Sequence, residues 1–260
     1  MNLSKSEDQI ILIDKPAGIS SFGVVAKVRQ KLRDEFGHKI KVGHTGTLDP
    51  FATGLLILLT GKMTKKSSEF LKLDKVYDAT LKLGYTSSTG DLEGEITKYN
   101  AGRIVTSLVE DLPEVTTEGE GAPPVTTGRS DPCPKLTDVK FVLNSFIGTI
   151  TQTPPKFSAV KVNGQRAYKL ARQGKDFEIP SRKVEIYSID ILEYNYPELK
   201  IRCHVSSGTY IRTLAEDIGI KLGTGAYLTS LRRLKIGNYD IKNASPRKIL
   251  TKNETSFLVK

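Results

Sequence analysis

Asp49 is the residue whose setting most invites chemistry. It stands in "KVGHTGTLDPFATGLLILLTGK", Lys41 to Lys62, a stretch rich in glycine and threonine that runs into five consecutive aliphatic residues. Taken alone, an Asp-Pro step reads as a turn or a helix cap. Here glycines at 43, 46 and 54 let a ligand approach the backbone closely, and Thr45, Thr47 and Thr53 can hydrogen-bond the loop into one shape. A carboxylate that is sterically open and conformationally fixed has what a covalent nucleophile needs. To stay ionised where a ligand shuts out water it requires a cation, and Arg212, in the first turn of a later helix, is the candidate; an exposed arginine is the plainer reading. Tyr77 and Tyr210 each read either as core tyrosines or as aromatic platforms for a base.

Other chemistries lack their residues. There is no GxGxxG, no catalytic Ser-His pair, and "LTGKMTKK" has no upstream glycine at Walker A spacing, so nucleotide cofactors are not supported. Two cysteines, Cys133 and Cys203, and three histidines, His38, His44 and His204, show no metal-ligand spacing, so neither metal nor cofactor is expected. Lys plus Arg number 39 against 29 Asp plus Glu, giving a net charge of +10 and a pI near 9.4, which favours a polyanionic partner such as nucleic acid. The start "MNLSKSEDQI" lacks the basic and apolar regions of a secretory signal, and "LLILL" is too short to cross a bilayer. A reducing cytoplasm and no membrane are the expectation.

The elements that must position these residues can be traced along the chain. "GISSFGVVAKVRQKLRDEFG" predicts a helix with a serine cap, Phe22, Val25, Val28 and Leu32 on one face, and Gly37 as its stop. "LLILLT" suits a short buried strand and "MTKKSSEFLK" a short helix. In "KVYDATLKLGYTS", Tyr77, Ala79, Leu81 and Leu83 alternate with polar neighbours, the period of a half-buried strand whose inner row includes Tyr77. From about 101 to 135 the chain turns acidic and rich in Gly, Pro and Thr without an aromatic, which predicts a mobile insertion. "LTDVKFVLNSFIG" then predicts a helix buried along Val139, Val142, Leu143 and Phe146. Asn163-Gly164 predicts a tight turn before a short basic helix that ends near Gly174. Two strands follow in "KVEIYSIDILEY" and "LKIRCHVSS", then a helix from Gly208-Thr209 with Ile211, Leu214, Ala215 and Ile218 inward. Strands and helices interleave without a strict βαβ rhythm, so an α+β fold with a mixed, mostly antiparallel central sheet flanked by helices is expected.

Four of these blocks, "GHTGTLDPFATGLL", "KVYDATLKLGYTSSTGDLEGE", "QTPPKFSAVKVNGQRAYKLARQG" and "SSGTYIRTLAEDIGIKLGTGAYLTSLRRLKIG", resemble in sequence and order the motifs of the TruB family, the tRNA pseudouridine-55 synthases. The resemblance runs from about Ile10 to Asp240 apart from the insertion. It implies the pseudouridine synthase fold, a tRNA substrate recognised through its T-arm, and isomerisation of uridine 55 without metal or redox cofactor. It implies that Asp49 is the catalytic aspartate, that Tyr77 stacks on the target base, that Arg212 pairs with Asp49 and that Tyr210 lines the same pocket. His44 would wedge into the RNA loop and Thr47 would contact the RNA beside it. The segment from about 152 to 175 would clasp the RNA with Lys156, Lys161, Arg166, Lys169 and Arg172. Three routes stay open for Asp49: attack on the base, attack on the sugar, or assistance to elimination through a glycal. The expected organisation is a catalytic domain over 1–245 and a tail over 246–260, too short for the PUA domain many members carry, with the chain working as a monomer. Two competing readings are an RNA-folding module of the same fold without turnover, against which an intact Asp49, Tyr77 and Arg212 set argues, and a DNA-binding structural protein.

Overall fold

An uninterrupted aliphatic run such as 55–59 needs apolar cover on both faces, and the computed structural model, which describes residues 6–100 and 133–244, provides it. Residues 101–132 of the expected insertion and the tail over 246–260 lie outside the described residues. The chain divides into two compact units, one of 1–78 with 230–260 and one of 79–229.

In the first unit β1 (Ile10–Lys15), α1 (Ser21–Phe36), β2 (Val42–His44), β3 (Thr53–Thr60), a 3-10 turn (Gly61–Lys66) and α2 (Ser67–Leu71) follow one another. β4 (Lys75–Leu83) begins here and ends in the second unit. The second unit continues with β5 (Tyr85–Ser87), β6 (Ile96–Lys98), α3 (Leu136–Asn144), β7 (Gly148–Gln152), β8 (Lys161–Val162), β9 (Gln165–Arg166), α4 (Ala167–Arg172), β10 (Arg182–Asn195), β11 (Glu198–Val205) and α5 (Ile211–Lys221). β12 (Ala226–Ile236) starts in the second unit and returns to the first, where β13 (Tyr239–Asp240) and a 3-10 turn (Ile241–Asn243) end the described order. The expected α+β class with a mixed, mostly antiparallel sheet is what the strands form.

β3 organises the first unit. β1 and β2 pair with it antiparallel, and β12 pairs with it in parallel at Arg232↔Thr53 and Arg233↔Gly54. Leu56 and Leu58 pack with Ile11, Ile13 and the α1 stripe Val24, Val25, Val28 and Leu32, while Leu55, Ile57 and Leu59 pack with Leu12, Phe70 and Ile236 on the other face. Ser20 caps α1 by accepting from the Gly23 N–H, and Gly37 ends it in the left-handed region, as read from the sequence. Phe22, however, is 65% exposed. The inward position of that first turn is taken by Ser21, which is buried, so the ring two residues before Val24 is turned to solvent.

In the second unit β7, β10 and β11 form an antiparallel run, with register shifts in β10 after Ile186 and Ile191. Asn163 (φ 49°) and Gly164 (φ 81°) form the tight turn between β8 and β9 that their sequence predicts. α5 opens at Ile211 rather than at Gly208-Thr209, because Gly208 adopts φ +88° and Tyr210 stays extended as the N-cap. Arg212 still falls in its first turn.

Gly54 yields a stability prediction. It has φ +105°, and a Cβ there would lie 2.3 Å from the Arg233 carbonyl oxygen, in backbone that the parallel pairing fixes. Gly54→Ala is expected to lose at least about 2 kcal/mol. A thermal melt should fall by about 5 °C or more; an unchanged melt would mean that the β3–β12 contact yields easily.

Candidate active site

The loop that carries Asp49 is held on both sides of that residue. Ser21 Oγ donates to the Leu48 carbonyl (2.9 Å) and accepts from the Leu48 N–H (2.8 Å), fixing the residue before Asp49. The Pro50 carbonyl after it accepts from the Gly18 N–H (2.8 Å) and from Lys15 Nζ (3.2 Å). Lys15 is fully buried and also donates to the Pro16 and Ile19 carbonyls. A second buried cation, Arg233, donates from Nε to the Leu55 carbonyl (2.8 Å) and from a terminal nitrogen to the Gly46 carbonyl (3.1 Å). Between these anchors Asp49 is half-buried, with its own carbonyl accepting from the Ala52 N–H. The carboxylate is thus open enough to be reached, on backbone with little freedom to move.

The threonines expected to shape this loop do less than those anchors. Thr45 is buried and its N–H donates to the Ile57 carbonyl (3.1 Å), Thr53 accepts weakly from Arg232 (3.4 Å), and Thr47 is exposed. His44 ends β2 and is half-buried. Tyr77 lies on the inner row of β4 with Lys75, Ala79, Leu81 and Leu83, and is 8% exposed. Lys75 Nζ donates to the Leu71 carbonyl, and burial, aided by the Arg233 charge, lowers its pKa to about 8. His44, Thr47, Asp49 and Tyr77 all belong to the first unit; Tyr210, Arg212 and the clasp residues belong to the second.

In the second unit Arg212 is 4% exposed, so the reading of an ordinary surface arginine fails. Its guanidinium donates to the Thr89 carbonyl (2.9 Å) and the Phe157 carbonyl (2.9 Å), and it forms an ion pair with Asp91 (3.4 Å). Asp91, in the "GDLEGE" turn between β5 and β6, is an ion-pair partner that sequence reading missed. Its carboxylate also accepts from Thr89 Oγ1 (2.6 Å) and the Glu93 N–H (2.9 Å). Gly90 makes room for this packing: at φ +73°, a Cβ on it would stand 2.5 Å from a Glu216 carboxylate oxygen. Burial, then the neighbouring Asp217 charge, pushes the Glu216 carboxyl up to about 7 against the pull of Arg212; burial alone does the same for Asp217. Arg212 therefore sits among two carboxyl groups, Asp91 and Glu216, and two carbonyls, a setting that fixes its plane.

The five basic residues of the clasp are all exposed. Lys156 lies 3.8 Å from Asp176, Arg166 donates to the Ala159 carbonyl, and Arg172 stands over the Tyr168 ring at 5.9 Å. Lys161 and Lys169 are exposed on β8 and α4. Tyr210, half-buried, carries Arg182 over its ring at 5.0 Å. Among the described residues no group of His, Cys, Asp and Glu could hold a metal ion, and no helix is long and apolar enough to cross a membrane.

A family model described as TruB family pseudouridylate synthase (N terminal domain) matches residues 33–127 and 112–211, and one described as tRNA pseudouridylate synthase B C-terminal domain matches residues 212–252. The tRNA pseudouridine synthase B of Phocaeicola vulgatus is 43% identical over 239 residues, 91% of this chain and 89% of that protein. That of Flavobacterium johnsoniae is 42% identical over 240 residues, 92% of each. That of Aquifex aeolicus is 43% identical over 239 residues, 91% of this chain and 71% of its own. The solved structure of a Cbf5-Nop10-Gar1 complex matches with a TM-score of 0.60 at 26% identity, over 93% of this chain and 53% of that one. An H/ACA RNP bound to a substrate RNA containing 2'-deoxyuridine matches at 0.57 and 25%, over 92% and 50%. This chain spans about half the length of those two solved chains.

Proposed function

Because the chain belongs to the TruB family of pseudouridylate synthases, we infer that it is a tRNA pseudouridine synthase acting on uridine 55 in the T-loop. The observation that carries this reading is identity above 40% with tRNA pseudouridine synthases B across nine-tenths of the chain, including the Asp49 block. The reading of an RNA-folding module without turnover has no such support.

The reaction breaks the N1–C1′ glycosidic bond, turns the uracil while it stays bound, and joins C5 to C1′. The C5 proton leaves and N1 gains one, so substrate and product are isomers and no co-reactant is consumed. A base inside a folded RNA loop must first be extracted, at an unstacking cost of about a few kcal/mol. Tyr77 offers an aromatic face in exchange, and His44 takes the space the base leaves. Asp49, on its pinned loop, is the group that engages the substrate at the glycosidic bond. The family resemblance assigns Arg212, held here by Asp91 and two carbonyls, as the cation of the reaction and Tyr210 as a second aromatic for the base. The clasp over 152–175 supplies exposed cations for phosphates. No protein partner is required and the enzyme works as a monomer in the cytoplasm, where its tRNA substrate resides.

The direct test is incubation with an unmodified tRNA transcript, followed by carbodiimide labelling to map pseudouridine. Product at position 55 is the expected result, and a transcript left unmodified at that position would overturn the assignment. Shape recognition of the T-arm predicts that its isolated stem-loop is also converted. Lys161→Ala and Lys169→Ala should each weaken tRNA binding and lower the slope of log affinity against log salt by about 1. Filter binding at several salt concentrations measures this, and unchanged slopes would remove both lysines from the interface.

A further inference from the structure

We propose that Gln152 and Arg182 are positioning residues for pseudouridine formation, acting through Tyr210 at the root of the RNA clasp. The inference rests on the reading of Tyr210 as a pocket residue.

α5 begins without a side-chain cap, because its N-cap residue is Tyr210, whose hydroxyl is too distant to bond the first-turn N–H groups. A single amide from elsewhere in the chain instead holds the N-cap residue itself. Gln152 Oε1 accepts from the Tyr210 N–H (2.8 Å), and Gln152 Nε2 donates to the Tyr210 carbonyl (3.1 Å). Gln152 is 1% exposed, so this amide makes its bonds away from water, where they are strong and where losing one leaves a buried group unpaired. Both backbone polar groups of Tyr210 are thereby fixed, and with them the extended conformation (φ −101°, ψ 113°) that sets where α5 and Arg212 start.

Directly opposite Gln152 in the antiparallel β7–β10 pair stands Arg182. Its guanidinium lies over the Tyr210 ring with the central carbon 5.0 Å from the centroid, and one terminal nitrogen donates to the Gly208 carbonyl. Gly208 is required for this: it has φ +88°, and a Cβ there would press on the guanidinium carbon at 3.3 Å. Gln152 thus holds the backbone of Tyr210 and Arg182 holds its ring. Arg182 Nε is shielded from solvent with no partner among the described residues. A shielded N–H without a partner disfavours the folded state, a cost set against the contacts of the same guanidinium with the Tyr210 ring and the Gly208 carbonyl.

The same two residues frame the clasp. Gln152 ends β7 where the segment starts and Arg182 begins β10 after it, and the next pair toward the segment is joined by a hydrogen bond between Thr153 Oγ1 and Ser181 Oγ (2.7 Å). The clasp is closed at its base by the pair that holds Tyr210, so the pocket wall and the RNA-covering segment share one support.

The experiment combines single-turnover kinetics on unmodified tRNA with binding measured in the Asp49→Asn background, where no product forms. Arg182→Ala is expected to slow the single-turnover rate about tenfold or more while tRNA affinity changes by less than about threefold. Arg182→Lys should not restore the rate, since an ammonium cannot lie flat over the ring. In a Tyr210→Ala background, Arg182→Ala should add little further loss, the non-additivity of residues acting as a unit. Arg182→Gln runs alongside as a second variant, and Gln152→Glu, which keeps the acceptor and loses the donor, tests the backbone half with an intact shape. A wild-type rate for Arg182→Ala and Arg182→Gln overturns the proposal. So does an equal slowing in both Tyr210 backgrounds, or weaker binding at an unchanged rate, which would make Arg182 a phosphate contact. Should Tyr210→Ala itself turn over normally, the pocket role of Tyr210 falls as well; a slow Tyr210→Ala with an independent Arg182 defeats this inference alone.

Discussion

Asp49→Asn is expected to abolish pseudouridine formation while leaving tRNA affinity within about threefold of the original. The substitution removes a negative charge and a nucleophilic oxygen but almost no volume. The backbone on both sides is held by groups it does not touch: Ser21 on Leu48, and Gly18 with Lys15 on Pro50. Loop position should therefore survive and only the chemistry be lost. The measurement is product formation by a preparation whose mass confirms the asparagine, together with filter binding. Turnover by that preparation would remove Asp49 from the reaction under any of the routes open to it. A large loss of affinity with residual turnover would instead make Asp49 a binding residue.

Much of the local structure that carries the candidate residues could be read from the chain because its signals are local. The Asp49 loop announces itself by its glycines, β3 by an unbroken apolar run, Tyr77 by strict alternation along β4, and the β8–β9 turn by Asn163-Gly164. What escaped sequence reading is held together over long separations. β1 and β12 were not read as strands. "AYLTSLRRLKI" carries two adjacent arginines, and such a segment fits a strand buried in the unit only if the charges find carbonyls. Arg233 finds them on Leu55 and Gly46, 178 and 187 residues earlier in the sequence. Lys15 is hidden because its carbonyl partners, Pro16 and Ile19 nearby and Pro50 35 residues on, converge only once the loop is folded. Asp91 carries no signal of its own, since nothing near it in sequence marks an ion pair 121 positions away. Phe22 failed in the other direction: periodicity places it with Val25, but Ser21 has a specific hydrogen-bonding task and takes the inward place.

Arg212→Ala is expected to lower the single-turnover rate by orders of magnitude and to destabilise the fold by about 3–5 kcal/mol, the range for breaking a buried ion pair from one side. The Thr89 and Phe157 carbonyls would lose a donor and Asp91, itself 3% exposed, would lose its cation. Arg212→Lys should rescue little, because one ammonium cannot serve both carbonyls and Asp91 in the geometry that a planar guanidinium spans. Asp91→Asn should fall between wild type and Arg212→Ala, as it keeps an acceptor for Thr89 Oγ1 and the Glu93 N–H but gives up the charge. The carboxyl beside them adds a pH signature. Burial raises Glu216 from 4.5 to about 7, so over that interval the folded protein holds a proton that the unfolded chain releases, and this group's contribution makes stability fall as pH rises through it. Arg212 pulls that pKa down; in Arg212→Ala the fall should extend to higher pH. Denaturant melts between pH 5 and 8 would measure the slope, and rates would be compared well below each variant's melting temperature so that unfolding does not pass for lost catalysis. Near-normal rates for both Arg212 variants would show that the catalytic carboxylate draws its counter-charge from elsewhere, with the buried cations Lys15 and Arg233 of the first unit as the next residues to change.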